Sequence, residues 1–193
     1  MRVDHDFIIQ WSQRYVTELP DWLRAEEEDL LGSVGPTVRG RGHYTQPEVE
    51  RVNRWKLPTQ RNRKRLAQNS AADIEAVTKR ALAADEPLQL YILREHLHGV
   101  SDGVASGLLI FPFPDRHTVI DFRAARALEA LHRDGQLADE LLWRPPQPDS
   151  LSVPPYPLYL DACRRLARHV DVSLRDLDRA LWQWHKETSG RSP

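Results

Sequence analysis

Apolar residues recur three and four positions apart along most of this chain, and the period-two alternation of a half-buried strand is scarce. That pattern dictates helices. Prolines and glycines then decide where each helix stops. A first helix is expected over 5–18, with Phe7, Ile8, Trp11, Tyr15 and Val16 on one face. Pro20 closes it and can open a second helix to about Leu31. The acids of that helix, Glu26, Glu27, Glu28 and Asp29, read as a solvated face. Residues 32–44, GSVGPTVRGRGHY, read as a loop, because glycines and a proline leave nothing periodic to bury.

Thr45 and Glu48 form a capping-box pair for a helix to about Lys56, where Pro58 stops it. A short helix follows near 59–67. Asn69 or Ser70 caps the next, to about Ala83. Pro87 suits a first turn and opens a helix to Leu97. Helices are expected over 102–111 and 121–133. Residues 144–157 hold six prolines and read as a rigid connector. Two closing helices fit 157–169 and 173–187, the second capped by Ser173 with Asp176 three residues on.

The 193 residues allow one compact domain or two packed lobes. Net charge is −1, so any nucleic-acid binding must come from local patches. The single cysteine, Cys163, excludes a disulfide framework and a Cys-ligated zinc or iron–sulfur site. The eight histidines show no metal-ligand spacing. The opening MRVDHDFIIQWSQ lacks the apolar segment of a signal peptide, and the most apolar run, VASGLLIFPFP, is too short to span a bilayer. A cytoplasmic protein with no membrane partner is expected.

The stretch with most chemical content is 97–121, LHGVSDGVASGLLIFPFPDRHTVID. Gly99 supplies the backbone freedom for a reversal, and Val100 can lock the turn inward. Ser101 or Asp102 caps the next helix. The amides opening that helix carry the positive end of its dipole, a ready site for phosphate. Ala105 and Gly107 permit a close helix contact.

LHGVSDGVA resembles the hairpin of the HhH-GPD superfamily of DNA glycosylases, whose pattern is Leu-Pro-Gly-Val-Gly-x-x-x-Ala. FPFPDRHTVIDFRAARAL is similar to that family's Gly/Pro-rich bend and its aspartate-bearing helix start. The resemblance spans about residues 90–128 and more loosely 45–90. It implies that Asp121, eighteen residues after Gly103, is the catalytic carboxylate. It also implies that Gly99, Val100, Ser101, Asp102 and Gly103 contact the DNA backbone. Backbone carbonyls of Glu95, Leu97 and Val100 would hold a monovalent cation. Asn53, Trp55 and Lys56 would line the pocket. Two departures stand out: Ser101 replaces the second hairpin glycine, and Gly103 replaces the lysine of the strand-cleaving members. Without that lysine no Schiff base can form. The family's cluster cysteines are also missing, so no iron–sulfur cluster is implied. The implied activity is monofunctional, with water as nucleophile.

Such a reaction develops positive charge on the sugar, and a carboxylate beneath it stabilises that charge. The base must first leave the stack, which costs a few kcal/mol. Asp121 also reads simply as the N-cap of the helix FRAARALEAL; the two roles are compatible.

Residues 51–65 carry Arg51, Arg54, Lys56, Arg61, Arg63, Lys64 and Arg65 with no acid between them. They read as phosphate contacts or as a solvated face. Trp55 reads as a stacking surface or as core. RGRGHY at 39–44 reads as a DNA-contacting loop or a plain connector. His96 and His98 flank the turn, and Asp178 reads as packing and capping.

The expected fold is all-α, in two helical lobes with a helix-hairpin-helix. The hairpin lobe covers 45–135; residues 1–44 and 136–193 form the other. The expected function is a monofunctional glycosylase acting on duplex DNA as a monomer, removing a damaged base or a modified base of foreign, phage-type DNA. The alternatives are a non-catalytic hairpin DNA-binding module and a helical interaction protein.

Overall fold

The structure is a computed structural model that describes residues 2–56, 59–138 and 155–188. The protein is all-α, and no strand occurs among the described residues. In chain order the helices are α1 (His5–Glu18), α2 (Asp21–Asp29), α3 (Gly35–Arg41), α4 (Gln46–Lys56), α5 (Gln60–Leu66) and α6 (Ala71–Ala83). Then come α7 (Glu86–His96), α8 (Asp102–Ile110), α9 (Phe122–Arg133), α10 (Tyr156–Val170) and α11 (Leu174–Thr188). A π turn, Leu30–Val34, joins α2 to α3. No described helix is long and apolar enough to cross a membrane.

Most helix starts follow their local chemistry. The Glu48 side chain accepts the Thr45 amide at 2.8 Å. Ser70 and Asp73 complete a reciprocal box at α6. Ser173 accepts the Asp176 amide at 3.0 Å. Pro58, the expected stop of α4, lies outside the described residues, as does most of the proline-rich connector.

Residues 32–44 depart from the expected loop. They continue α2 through the π turn into α3, because Leu30, Val34 and Val38 all bury their side chains. Pro36 occupies the first turn of α3, where a missing N–H costs nothing. Tyr44 is fully buried, and its hydroxyl donates to the Leu108 carbonyl at 2.9 Å. RGRGHY is therefore the end of a helix and a core anchor rather than a plain connector.

The chain divides into two compact units, residues 1–19 with 120–193 and residues 20–119. The expected divisions at 44/45 and 135/136 fall elsewhere. Residues 20–44 belong with the hairpin helices, since α2 pairs with α4 through charged groups and Gly35 lies against the Phe111 backbone. Residues 120–133 belong with the terminal helices, since α9 packs on α11, which also carries α1. In the 20–119 unit α8 is central: every residue from Val104 to Ile110 is buried. Gly107 makes this possible, as an added Cβ would lie 3.2 Å from Val52 Cγ1 on α4.

Gly35 is closely confined by backbone. A Cβ there would lie 2.1 Å from the Phe111 carbonyl oxygen, whereas Gly32 has nothing within 4 Å. Gly35→Ala is expected to lower stability by about 1–3 kcal/mol or more, because backbone cannot step aside as a side chain can. Gly32→Ala should be neutral or stabilising. Paired thermal unfolding curves check both.

Candidate functional site

The turn between α7 and α8 is fixed by backbone, not by side-chain bulk. Gly99 takes φ +77°. A Cβ on it would lie 2.7 Å from the Leu66 amide nitrogen and 3.1 Å from the Asn62 carbonyl, at the end of α5. Two backbones thus meet where only glycine fits. Asn69 staples the same contact. Its carboxamide oxygen accepts the His98 amide at 2.9 Å, and its Nδ2 donates to the His98 carbonyl at 2.9 Å and the Leu66 carbonyl at 2.7 Å. Leu97 and Val100 point into the core. The sequence marks Asn69 only as a candidate cap for α6; its hold on the turn carries no local signal.

The turn lines a hollow of about 490 Å³ with Asn62, Arg65 and Arg94. Ser101 is the N-cap of α8 but makes no side-chain cap, so the first amides of α8 carry no such partner. Asp102 stands in this first turn and accepts from Arg94 at 3.2 Å. Arg94 also lies 5.8 Å over the exposed Tyr91 ring. Glu95, Leu97 and Val100, the residues assigned a monovalent cation, all line the hollow, and the Leu97 carbonyl also accepts the Val100 amide at 3.4 Å.

The basic segment divides in two. Arg51 forks onto Glu26 through two bonds of 2.9 Å and reaches Asp29 at 2.7 Å. Arg54 reaches Glu26 at 3.3 Å. Glu27 is buried and accepts the Trp55 indole N–H at 3.2 Å. Glu26, Glu27 and Asp29 thus latch α2 to α4 while Glu28 stays solvated as expected, and the Arg51 guanidinium holds the Glu26 carboxyl below its ordinary range. What stays exposed without an ion pair among the described residues is Arg61, Arg63, Lys64 and Arg65, all on α5.

Of the three pocket candidates, Asn53 is buried and accepts from Asn62 Nδ2. It forms the floor of a hollow of about 330 Å³ with Glu50, Arg63 and Leu66. Trp55 turns elsewhere: its ring meets Phe111 edge to face at 5.0 Å and covers Gly107. It takes the packing role of the two considered. Lys56 is half-buried at the end of α4.

Asp121 lies in the other unit, as the N-cap of α9, where its Oδ1 accepts the Arg123 amide at 2.8 Å. The residue is half-buried. Around it stand groups with no sequence signal: Arg123 lies 5.5 Å over Trp182, and Phe122, 43% exposed, meets His185. They come from α9 and α11, some sixty residues apart in the chain. Asp178 is buried and pairs with Arg175 on its own helix, a packing role as expected.

No protein-family model, curated protein or solved structure matches this chain.

Gly99→Ala is expected to be the most damaging single change in the turn, since it adds both a strained φ and a clash with α5. The His98 and Val100 amides should then exchange with solvent faster than those of α8. Amide hydrogen exchange on wild type and variant checks this.

Proposed function

We propose that the protein is a monofunctional DNA glycosylase of the HhH-GPD type. It would grip duplex DNA with the α7–α8 turn and the cations of α5, and use Asp121 to hydrolyse the bond between a flipped base and its sugar. The observation that carries this reading is the pairing of two local structures in one chain. One is a glycine-locked turn opening a helix whose first amides carry no side-chain cap. The other is a carboxylate capping a helix, eighteen residues after Gly103.

Each part has a physical role. Phosphate is held by amides at a helix start and by exposed Arg61, Arg63, Lys64 and Arg65. Those contacts fix register without reading sequence. As the glycosidic bond stretches, the sugar becomes cationic, and a fixed carboxylate stabilises it more than it stabilises the neutral ground state. Gly103 offers no amine, so water completes the reaction and the product is an abasic site with an intact strand. The substrate class is a damaged or modified base, in repair or against foreign DNA.

Gly103 also favours a second reading, a hairpin module that binds DNA without chemistry. It predicts salt-sensitive binding and no abasic product.

The test is base release from duplexes carrying alkylated, oxidised, deaminated and hypermodified bases, with abasic sites revealed by alkali. Wild type is expected to produce alkali-dependent breaks, and Asp121→Asn to lose about 10²–10⁴-fold in rate. Breaks without alkali overturn the monofunctional assignment. Binding with no breaks on any duplex supports the module instead.

A further inference from the structure

Asp121 shares its corner with a second titratable group. His185 lies near the end of α11, which packs against α9. Its imidazole meets the Phe122 ring edge to face, with centroids 6.0 Å apart and planes at 75°. Phe122 directly follows Asp121, so the imidazole is held beside the opening of α9. Nδ1 of His185 is buried and has no hydrogen-bond partner in the protein. A buried nitrogen left without a partner costs free energy, so its retention needs a reason. Packing supplies none, since an apolar side chain would cover Phe122 without burying a polar nitrogen.

The surrounding charges define which form the ring takes. From α9 come Asp121, Arg123 and Arg126; Arg126 lies 5.7 Å over Phe122 and donates to Glu129 at 2.7 Å. From α11 comes Lys186, which lies 5.5 Å over Trp182 and donates to Glu18 of α1 at 3.1 Å. Arg14 of α1 turns to Glu187. Burial first, then Arg123, pushes the His185 pKa below its ordinary value; Asp121 opposes this and Arg126 adds to it. The imidazole is therefore neutral near pH 7, the form that accepts a proton.

We propose that His185 is the catalytic base that takes a proton from the attacking water, while Asp121 holds the cationic sugar. The proposal rests on the glycosylase reading. As the bond from sugar carbon to base nitrogen breaks, its electron pair leaves with the base. The water oxygen bonds to the sugar carbon, and one water proton passes to the imidazole. The departing base takes a proton from solvent, and His185 later returns its own. Water and nucleotide give free base and a sugar hydroxyl, with no oxidant or reductant. The division of labour suits the two groups: a fixed carboxylate faces the cationic sugar, and a neutral imidazole accepts the proton.

The experiment measures base release by the full-length wild type, His185→Gln and Asp121→Asn, on the same panel of duplexes, between about pH 5 and 8. It is joined to an NMR titration of the ¹⁵N-labelled imidazoles. In wild type the rate should fall on the acid side as His185 becomes protonated. His185→Gln should be slower by about 10²–10⁴-fold and lack that limb. Asp121→Asn should lower the His185 titration midpoint, because the carboxylate that raises it is gone. An active wild type with an equally active His185→Gln and an unchanged pH profile overturns the inference and leaves the glycosylase reading standing. So does a midpoint that Asp121→Asn leaves unmoved, a result independent of whether His185→Gln folds. No release by wild type removes the glycosylase reading, and the role of His185 with it.

Discussion

The contact between the Gly99 backbone and the end of α5 sets the geometry on which the 20–119 unit depends. It brings two main chains to a distance that no Cβ tolerates, at a φ that other residues rarely adopt. Asn69 satisfies three backbone groups around that contact, so it is closed in hydrogen bonds as well as in space. With the turn fixed, α8 can run through the middle of the unit with every side chain from Val104 onward buried. The same contact places the basic helix α5 beside the turn. Arg65 then lines the hollow that the turn makes.

Charge is arranged with similar economy. A chain with net charge −1 cannot bind a polyanion by its overall field. The acids of α2 pair with Arg51 and Arg54. The cations of the basic segment that stay exposed without an ion pair among the described residues lie on α5. Asp102 and Arg94 add a pair at the opening of α8, which tempers the anion affinity of that helix start. The DNA grip proposed above would rely on a few positioned groups, and salt should weaken it accordingly.

The helices were largely legible in the sequence because most carry a 3.6-residue stripe and a local start signal. The predicted 5–18 and the observed His5–Glu18 coincide for that reason. Asp121 as a cap was legible from its position before an apolar-periodic run. Residues 32–44 were not, because their burial comes from Phe111, Leu108 and Thr78, which no local window contains. The acid latch hid for the same reason: Glu26 meets Arg51 across twenty-five positions. The surroundings of Asp121 are the extreme case. His185 and Trp182 reach it only through the packing of α11 on α9, and a histidine inside WQWHKE has no mark that separates it from any other.

The proposed activity turns on Asp121 facing a sugar that carries positive charge. The most direct measurement compares binding of two duplexes, one with a cationic pyrrolidine in place of a nucleotide's sugar and one with the neutral tetrahydrofuran ring. This needs no knowledge of the target base. Wild type should prefer the cationic duplex by about 10²-fold or more, as an enzyme does a mimic of its transition state, and Asp121→Asn should lose that preference. Equal affinity of wild type for the two duplexes, or a preference that survives Asp121→Asn, would contradict it.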